Sequence, residues 1–471
     1  MSAPTINQAV AAASVQELRD DLRGTVIAPG EPEYDAARQP WNAMVDKHPM
    51  LIAHCADAGD VATAIAFARR HGLEIGVKGG GHSIVGQAVP DGGLMIDLSP
   101  MGSVRVDPEQ RLAYVGGGAL LGDLDRATEP YGLATTAGNV SHTGVGGLTL
   151  GGGMGWLARQ LGLACDNVTA FEVVIADGSR LIASADENAE LYWGLRGGGG
   201  NFGVVTQFTF RLHPIGGQVL SVDFFYRPEA GPAVLKALRD FARSAPPQAN
   251  PTGWIGTAAE WPFLAPELHG ASLVNAGYVW IGDPEEGRSL LRRFRDVAPP
   301  LAEVAKASTY VQLQASADEP MRPGMRRYWK DCYVREMTDE AIEAILARGG
   351  PAGDGEIQAN GSLLGMGGAI TQVGAGESAF SLRDAAFEFI TSAGWEDPAE
   401  DEMRMAACRR YAAALEPFSS GTYVNALSDE GEAGVRRAYP PETLARLTAL
   451  KDRYDPDNVF HLNHNIRPSR R

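Results

Sequence analysis

Positive charge, cysteine and long apolar runs are all scarce in this chain. Its 471 residues carry 41 Lys and Arg against 58 Asp and Glu, a net charge of −17. Phosphate backbones and anionic headgroups repel such a surface, so neither nucleic acid nor a membrane is an expected partner. The four cysteines, Cys55, Cys165, Cys332 and Cys408, stand far apart with no CxxC pair. That spacing suits reduced, packed thiols rather than a disulfide framework or a zinc site. No window reaches eighteen uninterrupted apolar residues, and the first twenty residues lack a basic stretch followed by an apolar one, so a soluble, cytoplasmic protein is expected. The phosphate-binding pattern GxxxxGK[ST] is also missing, and no GxGxxG opens a helix after a first strand, which argues against a P-loop or a Rossmann site.

Glycine is what the chain has in excess. It numbers 57 of 471, about 12% where roughly 7% is usual, and it is clustered. The first cluster, VKGGGHSIVGQ (77–87), follows a short predicted strand, Leu73 to Lys78, and a helix predicted over 57–72, with Asp57 or Asp60 as cap and Gly72 as stop. Three glycines in a row let backbone N–H groups approach an anion closely. Strands are expected at Leu94–Ser99 and Arg111–Gly118. The densest cluster, Gly138 to Gly155, has too much glycine for a regular element and reads as irregular backbone wrapped round a large flat or anionic group. A hairpin turning at Asp177 and Gly178 follows, then GGGGNFGVVTQFTF, a third glycine run entering a strand.

A length of 471 residues favours two domains. Beyond Pro214 the texture changes, with helices predicted at 232–245 and 284–297 and strands at AGYVWIG, VQLQAS and EIQANGSLLGMGGAI. An α+β fold of two lobes is expected: 1–215 as the first domain, 216–421 as a second with a largely antiparallel sheet, and 422–471 as a C-terminal segment whose helix is stopped at Asp455 and Pro456.

Six blocks carry a further signal: K-GGGH-S at 78–83, TGVGG-x-x-LGGG-x-GW at 143–156, CDN at 165–167, GGGNFGVV at 198–205, YVN at 423–425 and YDPDN-x-F-x-L-N-x-N-I at 454–466. In kind and order they resemble the berberine bridge enzyme-like oxidases of the vanillyl-alcohol oxidase and p-cresol methylhydroxylase flavoprotein superfamily. That resemblance implies an FAD-binding first lobe with the C-terminal segment folded onto it, and a middle domain that covers the flavin and forms the substrate pocket. It implies a covalent bond from His82 to the flavin 8α carbon. Val140 stands where many relatives carry a second, cysteinyl link, so a single tether is implied. Lys78, Gly79, Gly80, Gly81, Ser83 and Gln87 are implied around the pyrophosphate and first turn. Thr136, Gly138, Ser141, His142, Thr143, Gly144, Gly146, Gly147, Gly151, Gly152 and Trp156 are implied along the flavin. Asn167, Gly203, Val205, Tyr423, Asn425, Asn463 and Asn465 complete the implied cofactor set.

The resemblance implies hydride transfer from a small molecule bearing an alcohol or amine, with dioxygen as acceptor and Thr143 at the position that admits it. Expected proton-handling residues are Tyr423, in the YVN block, and Glu356 and Gln358, which strand alternation puts on one face with Asn360 and Ser362. His461 and His464 form an HxxH on an irregular tail, and no metal is expected. A monomer or homodimer is expected. Two other readings stay open: a dehydrogenase or flavin-oxygenating monooxygenase using the same cofactor, and a flavin or ligand carrier without catalysis.

Overall fold

The helix over Ala58–His71 shows how local signals build the first lobe. Asp57 caps it by accepting from the Gly59 and Asp60 amides, and Gly72 ends it at φ 63°. Val61, Ala64, Ile65 and Ala68 lie on one face and pack onto Leu51, Ala53, Ile75, Leu94 and Ile96. Those residues belong to a four-stranded sheet in the order Thr25–Ile27, Leu51–His54, Leu94–Asp97, Ile75–Lys78, parallel except at its first pair. The glycine turn thus leaves the carboxyl end of a parallel strand, the place where such sheets bind ligands. This computed structural model describes residues 12–350, 357–374 and 376–470.

A five-stranded antiparallel sheet comes next. Val204–Arg211 sits at its centre between Leu112–Gly116 and Val168–Val174, with a register shift between Val205 and Gln207. The expected hairpin is present, Val168–Val174 pairing with Arg180–Ser184. The dense glycine region differs from expectation. Val145–Leu150 is helical, with Gly144 before it and Gly151 as its C-cap. Val145, Thr149 and Leu150 are buried there, and that packing offsets the entropy cost of Gly146 and Gly147.

The middle of the chain forms a seven-stranded antiparallel sheet from Gln218–Tyr226 to Phe387–Trp395, with Arg326–Val334 at one edge. Helices Gly231–Ser244, Asp339–Ala347 and Asp401–Leu415 cover one face, burying Leu235, Leu238, Ile342, Ile345 and Tyr411 against it. The strand period of two then aims the alternate residues at the first lobe. On Phe387–Trp395, Phe387 and Phe389 join the helix-side core while Glu388, Ile390 and Ser392 line the cavity opposite.

Three expected elements change. VQLQAS is not a strand: Tyr310–Gln314 is a helix, because Thr309 and Gln312 form a reciprocal capping box. The predicted helix over 284–297 is two short ones, Pro284–Arg288 and Arg292–Arg295. The strand expected from Glu356 covers only Asn360–Gly365, and Glu356 lies outside the described residues.

The C-terminal segment returns to the first lobe. Leu447, Leu450 and Ile466 share a core with Leu191, Trp193 and Phe202. Its closing turn is built on a fully buried ion pair, Lys451–Asp455 at 2.7 Å. Lys451 also donates to the carbonyls of Asn201 and Phe460, and Asp455 accepts from the Val459 and Phe460 amides. All three Lys451 protons and both Asp455 oxygens are thereby used, which is the condition for burying two charges.

Candidate functional site

A cavity of about 790 Å³ runs between the middle sheet and the glycine turns of the first lobe. Its floor is backbone. Gly80 and Gly144 pass so closely that a Cβ on Gly80 would sit 2.3 Å from the Gly144 nitrogen, and Gly81 turns at φ 65°. Only glycine permits this approach. Gly147 and Gly200 also line the cavity, and a Cβ on either would meet nothing within 4 Å, so the space beside them belongs to the cavity.

His82 closes one end. Trp41 stacks on its ring at 4.1 Å between centroids and 17° between planes, and Arg327 lies over Trp41 at 4.4 Å. The Trp41 indole is fixed by donating to the Met321 carbonyl at 2.5 Å. His82 Nε2 lies 3.2 Å from His142 Nδ1. Burial, reinforced by His142 and Arg327, lowers the His82 pKa to about 3, so the imidazole is neutral at physiological pH. Among the described residues Arg327 is the one Lys or Arg lining the cavity, and burial brings its pKa down to about 10.

A second polar cluster sits on the middle-sheet side. Asp331 Oδ1 accepts from the Tyr423 amide at 2.6 Å and the Thr422 hydroxyl at 2.8 Å, while Oδ2 has no donor of its own. The buried Glu388 carboxyl lies beside it. Burial and mutual repulsion raise the Glu388 pKa well above the carboxylate range, and burial raises that of Asp331. Two adjacent buried carboxyls cannot both ionise at neutral pH. The two bonds to Asp331 favour its anion, which leaves the proton on Glu388. Tyr423 Oη accepts from the Gly153 amide and Asn425 Nδ2, both at 2.8 Å, and burial raises its pKa.

Of the residues expected around the cofactor, Gly79, Gly80, Gly81, His82, Ser83 and Gln87 line the cavity, as do Gly138, Thr143, Gly144, Gly146, Gly147 and Trp156. Gly203, Val205, Tyr423, Asn425 and Asn463 complete that wall. Others lie behind it, each drawn off by a partner. Lys78 pairs with Asp97 at 3.3 Å, Thr136 donates to the Gly162 carbonyl, Ser141 is held by Asp318, and Asn167 ties Leu161 and Leu163. Gly151 packs against Asn425 and Gly152 against Phe380. Asn465 is off the cavity wall, its buried Oδ1 without a partner. His142 is in the second layer, behind His82. Gln358 is a correction: its amide donates to the Gly350 carbonyl, and neither it nor Asn360 reaches the cavity, because the strand begins only at Asn360. Sequence reasoning missed Glu388 and Trp41. A lone carboxylate between two phenylalanines in FEFITS was the signal for Glu388. His461 bonds Glu74 and His464 bonds Gln87, and among the described residues no group of three His, Cys, Asp or Glu could hold a metal ion.

These features fit a dinucleotide with a flat ring system. The amide-lined turn suits a pyrophosphate, and Asn463 Oδ1, buried without a donor, awaits an N–H. Comparison with known proteins agrees. A family model described as FAD binding domain matches residues 49–184, and one described as berberine and berberine like matches 422–467. An uncharacterized FAD-linked oxidoreductase of Bacillus subtilis (strain 168) is 30% identical over 95% of this chain and 99% of its own. (R)-6-hydroxynicotine oxidase of Paenarthrobacter nicotinovorans is also 30% identical, over 95% and 97%. The crystal structure of 6-hydroxy-D-nicotine oxidase from Arthrobacter nicotinovorans superposes with a TM-score of 0.83 at 28% identity, covering 94% of this chain and 98% of that one.

Proposed function

The chain belongs to the berberine bridge enzyme-like family of FAD-linked oxidoreductases, and on that premise we propose that it is an oxidase of small organic molecules. It removes a hydride from a carbon bearing an alcohol or amine and delivers the electrons to dioxygen, giving hydrogen peroxide. The observation that carries this reading is the Glu388–Asp331 pair with Tyr423, facing the glycine cradle across one cavity. The (R)-6-hydroxynicotine oxidase relative supports an amine donor as the first class to test.

FAD, when bound, supplies the hydride acceptor. The chain's own residues do the rest. The amides of Gly79 to His82 hold the pyrophosphate, His82 tethers the ring, and Val140 at the cavity wall has no thiol for a second link. Holding the donor carbon within about 3–3.5 Å of the acceptor is worth several orders of magnitude in rate. Glu388, once it has lost its own proton, takes the proton from the substrate heteroatom, and Asp331, fixed by Thr422 and the Tyr423 amide, stands beside it. Tyr423, its oxygen already accepting two bonds, has its own O–H to donate to substrate. Thr143 lines the cavity on a backbone pinned to Val140 and Leu121, and its short side chain leaves room for dioxygen.

The test is an anaerobic screen of amines and alcohols followed by flavin absorbance. A substrate bleaches the flavin, and readmitted air restores it with one peroxide per flavin. Bleaching without peroxide on reoxidation would make the protein a dehydrogenase, and no bleaching by any donor would make it a carrier.

A further inference from the structure

We propose that His142 prepares His82 for covalent attachment, accepting the proton of His82 Nε2 as His82 Nδ1 bonds the 8α carbon of FAD. This rests on the reading that His82 carries the flavin, and it assigns the chemistry of that attachment to a second side chain of this protein.

The geometry is particular. Two imidazoles meet Nε2 to Nδ1 at 3.2 Å, with ring centroids 5.1 Å apart and planes inclined by 34°. His82 cannot swing away, because Trp41 lies flat against it and is itself tied to the Gly81 carbonyl and to Met321. His142 is equally held. Asp318 accepts from the Ser141 amide at 2.8 Å and hydroxyl at 2.5 Å, and the Thr143 amide donates to the Val140 carbonyl. Between two neutral imidazoles one nitrogen must donate and the other accept. If His142 accepts, His82 is the Nε2–H tautomer, and its lone pair stands on Nδ1, the nitrogen left over on a ring that lines the cavity. If His142 donates, His82 Nδ1 carries a proton and is not a nucleophile. His142 Nε2 is buried without a partner, and among the described residues the hydrogen bond this ring makes is the contact with His82.

The step balances. An N–C bond forms from His82 Nδ1 to the 8α carbon, and one C–H bond of that carbon breaks, its proton going to water. The His82 Nε2 proton passes to His142 Nδ1, and His142 then returns to neutrality by giving a proton to water. The electron pair of the broken C–H leaves with dioxygen, which takes up two protons and departs as hydrogen peroxide. In sum, one imidazole proton and one methyl hydrogen are exchanged for the new bond, and dioxygen is reduced.

The experiment follows attachment itself. Apoprotein is mixed with FAD in air, samples are denatured over time, and covalent flavin is read by in-gel fluorescence and intact mass. Wild type acquires one flavin and H82A none. H142A binds FAD without the covalent bond, attaches it about a hundredfold more slowly as expected for loss of a proton acceptor, and is rescued by added imidazole. Attachment in H142A at the wild-type rate overturns the proposal, and so does a slow H142A that imidazole leaves unchanged. Should H142A not hold FAD, H142N is measured by the same two criteria. Wild type without covalent flavin would instead refute the His82 tether and, with it, the premise.

Discussion

Glu388 sits where a carboxylate is least comfortable, between Phe387 and Phe389 on a strand whose other face is the core of the middle domain. Its raised pKa has a sign that can be followed. The protonated form is the favoured one in the folded protein, so the base needed for catalysis appears only as pH rises through the raised value. Turnover is therefore expected to climb as pH rises above the ordinary carboxylate range. E388Q should lose about 10²- to 10⁴-fold in kcat, as removal of a general base does, and the remaining activity should lose that rise. A steady-state pH profile of both proteins checks it. His464 titrates in the opposite sense. Burial holds its pKa at about 4, below the roughly 6.5 of an unfolded chain, so the unfolded state takes up a proton that the folded state refuses. Its contribution to stability is whole above about pH 6.5 and is lost as pH falls towards about 4. H464N should show a smaller shift in denaturant midpoint between about pH 7 and about pH 5 than wild type does.

At the scale of elements, the closing turn and the glycine cradle make separate demands. K451M would strand Asp455 in a site with no solvent, and loss of one partner of a buried pair costs about 3–5 kcal/mol. A fall in melting temperature with FAD still bound at low temperature is the expected result. G80A acts differently: its new methyl would meet the Gly144 backbone, so FAD affinity should fall while the distant middle-domain core melts as before. Isothermal titration of apoprotein with FAD separates the two. Elements with their signals in neighbouring residues were legible from sequence, as with the Asp57 cap and Gly72 stop of the Ala58–His71 helix. Those decided by competing signals were not. Val311 and Leu313 alternate with Gln312 and Gln314 like a strand, yet the Thr309–Gln312 capping box makes them a helix. The helix at Val145–Leu150 was hidden for a related reason, since burial outweighs the poor propensity of its two glycines.

Across the whole molecule, the halves of the site were unequally readable. The cradle is made of backbone, so its glycines announce it in the sequence, and most of them line the cavity. The acid pair is made by pairing strands 326–334 and 387–395 in register and by the return of Thr422 and Tyr423 from the C-terminal segment. No local pattern encodes those three meeting. Gln358 was drawn to the site by extending a strand beyond its true start, and Trp41 was overlooked because its partners, His82 and Arg327, come from two different lobes. The two halves meet across one cavity, as the proposed oxidase reaction needs: a cofactor cradle on one wall and a carboxyl to take the proton on the other. Thr143 lines that cavity, and T143L should slow reoxidation while leaving reduction by substrate unchanged. Stopped-flow mixing of the chemically reduced holoenzyme with air-saturated buffer tests the central claim without a known substrate. Rapid return of the flavin absorbance with one hydrogen peroxide per flavin is predicted, and a flavin that stays reduced in air would contradict it.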